Sequence, residues 1–397
     1  TGTDRSFIQD EINALNNELN RISSSTEFNA VKLLDGTYNN KQIQIGTGAG
    51  QVFNIGVTAT DSTTLGAYEL ESTAEATGMV ASAAAAVTAM DALVTASADY
   101  VVKGSFGTTT VLVDAGADAK DVAQAFNLSA GTTGIIASAV TKAKITAVSA
   151  DNGTFSFTLK GKSATASTVN ATVASASNVT ALKDAINAVS GATGISASLT
   201  QDLKGINLVQ QDGYDIVIGD VTSSGSQTIS VSAANKASTT VGSTHALGAT
   251  ITADSLAIVG QISLSSHKAF TVTPGVATNH FSGANTAVAS SLQSMGGIDI
   301  STQVGATNAL SVIDGAIAMV SEVRSEMGAA ENRLTSTVDN LSNVSVNTQR
   351  SLTSVEDANF ASETSALTKA QILQQAATSM LAQANKAKQT MLVLLQG

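Results

Sequence analysis

The sequence predicts an α+β multidomain protein: a long antiparallel α-helical coiled-coil rod carrying a β-hairpin, plus a β-rich α+β central insert. Three observations lead there. Apolar residues near both ends recur in steps of three and four, the spacing of one helix face. The middle of the chain gives up that period for Ser, Thr, Ala, Gly and Val in two-residue alternation, the pattern of half-buried strands. Within that middle, a helix-plus-strand segment occurs twice at an offset of 60 residues.

The first helical segment is Ile8, Ile12, Leu15, Leu19 and Ile22, one apolar stripe, with Asp4 as candidate N-cap. Phe28, Val31, Leu33 and Leu34 then lead to a turn at Asp35-Gly36. Ile43 and Ile45, then Phe53, Ile55 and Val57, alternate with polar residues around Gly46–Gly50 and predict the hairpin. The second helical segment carries Leu310, Val312, Ile313, Ile317, Val320, Met327, Leu334, Val338 and Leu341, with Arg324 and Glu331 interrupting the stripe. The third is the most regular: Ala366, Ala370, Leu373, Ala377, Met380, Ala384, Ala387, Met391 and Leu394 alternate steps of four and three. Leu367, Ile372, Ala376, Leu381, Leu392 and Leu395 widen that stripe beyond what one partner helix can cover. Burying each large apolar side chain stabilises by roughly 1.5–3 kcal/mol, so this segment calls for a multi-helix neighbourhood.

In the repeat, Val122, Ala125 and Phe126 correspond to Leu182, Ala185 and Ile186, and Asp118 corresponds to Asn178, both N-cap residues. Gly131-Thr-Thr-Gly-Ile-Ile-Ala-Ser corresponds to Gly191-Ala-Thr-Gly-Ile-Ser-Ala-Ser. Alternating stretches follow, with Ile145 and Ala147 in one copy and Ile206 and Leu208 in the other. Each copy reads as a short helix on strands, and the pair as two small α+β modules acting as spacers or a surface head.

Composition narrows the function. Of 397 residues, 43% are hydrophobic but only 4% aromatic, with no Trp, so cores must be built from Ala, Val, Ile and Leu. A net charge of −11 argues against nucleic acid. The absence of Cys removes disulfides, thiol nucleophiles and Cys-based zinc sites, and suits an extracellular protein stabilised by assembly. The chain opens Thr1-Gly2-Thr3-Asp4, without Met or secretory signal, and reads as the start of a fragment. The apolar run Met79 to Met90 is interrupted by Asp91, short of the roughly 18 residues a membrane span needs.

The chain ends carry a resemblance. Ser24-Ser-Thr-Glu-Phe-Asn-Ala-Val-Lys-Leu-Leu-Asp-Gly36, Arg324-Ser-Glu-Met-Gly-Ala-Ala-Glu-Asn-Arg-Leu334, Glu356-Asp-Ala-Asn-Phe-Ala-Ser-Glu363, Ala370-Gln-Ile-Leu-Gln-Gln-Ala376, Leu381-Ala-Gln-Ala-Asn385 and Leu394-Leu-Gln-Gly397 are similar, in order, to stretches of bacterial flagellins. The resemblance covers roughly residues 1–58 and 305–397. It implies a flagellin lacking its first helices and holding a large variable insert, a structural subunit of the motility filament. It divides the chain into 1–58, the N-terminal part of the rod with its hairpin; 59–304, an outward-facing insert with modules at about 100–160 and 161–222; 305–352, the C-terminal rod helix; and 353–397, the terminal filament-core helix. By the same resemblance, Ala366, Ala370, Leu373, Ala377, Met380, Ala384, Met391 and Leu394 form the self-assembly interface. Ile8, Ile12, Leu15, Leu19, Ile22, Leu310, Ile313, Ile317, Val320, Met327, Leu334, Val338 and Leu341 pack the rod. The implied partners are other flagellin subunits, an export chaperone at the C-terminal helix, filament cap and junction proteins, and the flagellin-sensing Toll-like receptor, with Glu11 at a family position in the surface that receptor senses. Secretion through the flagellar export apparatus is implied, with no membrane insertion and no nucleic acid.

No catalytic constellation stands out, and no cofactor or metal is expected. His245, His267 and His280 follow no H-E-x-x-H pattern. Asp114, Asp118 and Asp121 miss the spacing of a calcium loop. Gly46–Gly50 lacks the Lys-Ser/Thr of a phosphate loop, and no Gly-x-Ser-x-Gly elbow occurs. Two alternatives remain open: a hook–filament junction protein, and a polysaccharide-binding or adhesive insert with Tyr100, Phe155, Tyr214 and Phe281 as sugar platforms.

Overall fold

A computed structural model describes the chain except residues 1, 47, 73–79, 83–97, 150, 225–226, 249–254, 277–279 and 282–284. Most of the apolar run from Met79 to Met90 lies outside the described residues. The chain divides into two compact units, residues 1–39 with 57–324, and residues 40–56 with 325–397.

The larger unit opens with helix Gly2–Ser25, in which Asp4 lies inside the first turn rather than at the cap. There its carboxylate still complements the positive end of the helix. The helix is held by its polar side chains. Arg5 donates to the Ser301 carbonyl, Gln9 donates to the Ile298 carbonyl and accepts from the Ile300 N–H, and Asn16 donates to the Met295 carbonyl. Ile12 and Ile313 flank a small core of Ile298, Ile300, Ala309 and Val312.

Between these ends lie three main sheets. The largest runs Ile195–Leu199, Ile206–Gln210, Ile136–Val148, Gln261–Ser266, Gly66–Glu71, Ser291–Ser294, and Ile229–Ala234 also pairs with Ile136–Val148. A second joins Ser167–Ser175, Asp151–Lys160, Ile216–Ser223, Ser255–Ile258 and Val80–Ser82; a third joins Val288–Ala289, Thr271–Pro274, Ala98–Lys103 and Thr108–Val113.

The two repeats fold alike. Helices Ala119–Leu128 and Thr180–Ala188 each bury the stripe read from sequence: Val122 and Phe126 in one, Leu182 and Ile186 in the other. Asp118 is the N-cap of the first; in the second the cap falls at Val179, and Asn178 instead accepts from the Thr180 N–H and hydroxyl. Gly134 and Gly194 end the following turns at φ +72° and +71°, the left-handed region that only Gly enters without penalty. Both repeats carry the same clamp. The Asn127 amide donates to the Ala137 carbonyl and accepts from its N–H, each at 2.8 Å. Asn187 does the same to Ala197 at 2.9 and 2.8 Å. Asn127→Ala and Asn187→Ala each leave a backbone pair without its partner, which costs about 1–3 kcal/mol. Thermal melts of the two variants are expected to show similar losses, and a neutral result for either would show that the clamp is dispensable.

The repeats are nevertheless not separate spacers. Ile136–Val148, the strand that ends the first repeat, is 13 residues long. Its first part pairs with Gln261–Ser266 and its later part with Ile206–Gln210. It supplies Ala137 to a smaller core built on the first repeat, and Ala143, Ile145 and Val148 to a larger core built on the second. One strand is therefore the spine of both.

Helix Gln303–Leu394 closes the chain over 92 residues without a break at the 352/353 boundary drawn from sequence. In the larger unit it lies directly on strand Gly66–Glu71: a Cβ at Gly315 would meet the Gly66 carbonyl oxygen at 2.6 Å and Ala67 Cα at 2.8 Å. Ser311 bonds Glu69, and Glu322 takes Lys268 and His267. In an exposed helix Gly→Ala stabilises by about 1 kcal/mol. Gly315→Ala is expected to reverse that sign and lower the melting temperature, because the helix must back away from the strand; a rise would refute the close approach.

In the smaller unit, Lys41–Gln44 and Val52–Ile55 pair antiparallel, Lys41 opposite Ile55. Gly50 turns the chain at φ +85°. The Arg333 guanidinium stacks on the Phe53 ring at 4.4 Å.

Candidate assembly surface

The residues from 351 onward whose exposure is described are all exposed. Leu373 is 61% exposed, Met380 72% and Leu394 82%. Ala366, Ala370, Ala377, Ala384 and Met391 share their helix and their exposure. On an α-helix, steps of four and three stack these side chains into one stripe. Leu367, Ile372, Leu381, Leu392 and Leu395 flank it, equally exposed. The other face is made of hydroxyls and amides. Thr364, Thr368 and Thr378 bond their own helix carbonyls at positions 360, 364 and 374, leaving little polar reach for a ligand. After Glu363 the helix holds Lys369, Lys386 and Lys388 and no acid. The small Ala residues along the stripe let another helix come close.

The residues expected to pack the rod fall into two groups. Ile12, Leu19, Ile313, Leu334 and Leu341 are half-buried, whereas Ile8, Leu15, Ile22, Leu310, Ile317, Val320, Met327 and Val338 are exposed. Within the larger unit the buried face of the long helix is Ala309, Val312 and Ala316, one residue round from the predicted seam of Leu310 and Ile317. Of this face the sequence places only Val312 in its helical stripe; Ala309 and Ala316, small residues on either side of Gly315, carry little hydrophobic signal.

Among its described residues the insert offers no comparable site. Tyr100, Phe155 and Phe281, three of the four aromatics considered as sugar platforms, are buried in the cores; alternation turns them inward with the apolar side of their strands. Tyr214 has the Lys120 ammonium 4.8 Å over its ring. A groove of about 520 Å³ on the second sheet is lined by Thr154, Ser156, Asn170, Thr172, Thr222 and Ser224, with Phe155 closed beneath. His245 pairs opposite Val231 on an outer strand, His267 faces Glu322 at 3.6 Å, and His280 is in a core. Among the described residues no three His, Asp or Glu side chains converge to hold a metal.

Comparison with known proteins gives this surface its context. The sequence profile of the bacterial flagellin C-terminal helical region matches residues 310–395, and that of the flagellin hook IN motif matches residues 154–212, the second repeat. The B-type flagellin of Pseudomonas aeruginosa is 31% identical over 99% of this chain and 78% of its own length. The chain belongs to the bacterial flagellins. Flagellin B of Helicobacter pylori is 28% identical over 99% of this chain and 79% of its own length. Among solved structures, the flagellar cap protein FliD of Helicobacter pylori covers 60% of this flagellin and 85% of itself at 12% identity and a TM-score of 0.17, too low to carry a fold argument. Flagellin is a structural family, and this flagellin is a structural subunit of the bacterial flagellar filament. The motif match at 154–212 falls on one repeat alone; the clamp, the left-handed Gly and the buried stripe, each displaced by 60 residues, place the first repeat beside it.

Proposed function

We propose that Ala366, Ala370, Leu373, Ala377, Met380, Ala384, Met391 and Leu394 form the surface through which copies of this flagellin polymerise. What supports it is a single observation: a continuous stripe of exposed apolar side chains on the terminal helix. A soluble chain rarely leaves so long an apolar row uncovered, and sister helices provide both the apolar cover and the close approach that Ala allows. The exposed rod residues Ile8, Leu15, Ile22, Leu310, Ile317, Val320, Met327 and Val338 are read as a second set of contacts between copies, in a rod of residues 1–58 and 305–352. Residues 353–397 then form the filament core, and 59–304 the outward insert. The role is structural and not enzymatic. An export chaperone would bind the same terminal stripe before assembly, covering it during passage through the flagellar export apparatus.

Seeding tests this reading. Added to filament fragments, the protein is expected to enter the ultracentrifuge pellet in proportion to seed number. A chain that stays in the supernatant with seeds present, at every concentration tried, would overturn it.

A further inference from the structure

The smaller core holds a group that assembly does not use. Tyr100, Phe126 and Phe281 are buried in mutual ring contact, with centroids 5.6 to 5.9 Å apart. His280 completes the cluster, fully buried, with its ring 6.4 Å from that of Tyr100. Its Nδ1 lies 2.9 Å from the Tyr100 hydroxyl, and its backbone N–H donates to the same oxygen at 3.5 Å. With Tyr100 donating to Nδ1, the neutral ring carries its proton on Nε2. That nitrogen is buried with no hydrogen-bond partner among the described residues. A second proton would put a full charge among aromatic and aliphatic side chains, which is far more costly than burying the neutral ring.

Among the described residues no charge stands ready to receive it. Tyr100 is the titratable side chain that meets the ring. Asp99 and Lys103 alternate to the outer face of their strand. Lys120 and Asp121 sit outside the buried stripe of helix Ala119–Leu128. Glu69 turns to Ser311, and Glu71 is exposed. Lys142 reaches the Lys236 carbonyl, and Lys144 is half-exposed beyond it. Strands Thr108–Val113, Gln261–Ser266 and Thr271–Pro274 hold no charged residue. The larger core has no histidine among its buried residues.

We propose that the Tyr100–His280 pair is an acid-released lock: protonation of His280 opens the core of the first repeat while the second repeat stays closed. Burial pushes the His280 ring down to about 4 and the Tyr100 hydroxyl up to about 12. The sign follows from linkage. Above the ordinary histidine value of about 6.5 neither form binds the extra proton and the lock is at full strength. As pH falls, the open form takes the proton first, and the opening equilibrium rises about tenfold per pH unit. The rise ends near pH 4, where the closed ring titrates as well.

Hydrogen exchange of the whole chain, corrected for the intrinsic pH dependence of amide exchange, tests this between about pH 7 and 4. Protection of residues 98–113 and 119–128 is expected to fall by up to about tenfold per pH unit, while residues 155–159 and 182–186 hold theirs. The double variant Tyr100→Phe/His280→Leu fills the site with apolar groups and is expected to flatten the pH profile. Equal loss in both repeats, or the same acid loss in the double variant, would overturn the lock. Should that variant not fold, the wild-type protein still decides through the NMR signal of the His280 ring. Neutral down to about pH 4 is the expected result; titration near 6.5 with protection unchanged refutes it.

Discussion

Leu373→Asp is expected to abolish seeded filament growth while leaving the melting of the β-rich unit unchanged. In the single chain Leu373 is 61% exposed, so an aspartate there meets water and shifts stability by no more than about 0.5 kcal/mol. In the proposed helix seam the same carboxylate would be stripped of water without a partner, at a cost of about 3 kcal/mol or more. Each 1.4 kcal/mol is tenfold in an equilibrium constant, so the critical concentration rises by roughly 100-fold or more. Met380→Asp, two helical turns on, is expected to behave alike. Gln375→Asp sets the control: it adds the same charge on the face that carries Thr368, Gln371 and Thr378, and most growth is expected to survive. Pelleting assays at a series of protein concentrations give the critical concentration directly. Equal sensitivity at 373 and 375 would mean that the helix is buried all round and that the stripe has no special part.

Why the terminal stripe was legible in the sequence and the helix–strand contact was not comes down to the kind of signal each leaves. Leu373, Met380 and Leu394 are large, apolar and regularly spaced, so period alone places them on one face. Ala309, Gly315 and Ala316 mark their face by being small: the helix rests on the backbone of Gly66 and Ala67, and closeness leaves no hydrophobic periodicity. The repeat was legible because Val122 and Leu182, or Phe126 and Ile186, fill equivalent core positions 60 residues apart. Its independence was misread, since Ile136–Val148 pairs with Gln261–Ser266 more than a hundred residues away, and strand alternation names a buried face without naming a partner. Tyr100, Phe155 and Phe281 went wrong as sugar platforms for a related reason. In a chain poor in aromatics, the few present are needed to fill cores, and Phe155 and Phe157 both lie in the larger one.

That use of the aromatics makes Phe157→Ala the complement of the assembly variant. Phe157 is 1% exposed within the core of the second repeat, in company with Leu159, Val169 and Ile218. Its strand pairs on both sides, with Val169 opposite it on one, so the sheet has little freedom to collapse into the space left behind. Removing a buried Phe side chain under such constraint costs about 3–5 kcal/mol, a large share of the roughly 5–15 kcal/mol that holds a domain folded. Chemical denaturation followed by circular dichroism is expected to show the β signal lost at markedly lower denaturant. The terminal helix contributes no residue to that core, so the stripe from Ala366 to Leu394 keeps its chemistry and seeded growth is expected to continue at temperatures where the insert still holds. Loss of growth by Phe157→Ala under conditions where its insert remains folded would show that the insert itself makes contacts that build the filament, and the division between an assembling helix and an outward insert would have to be redrawn.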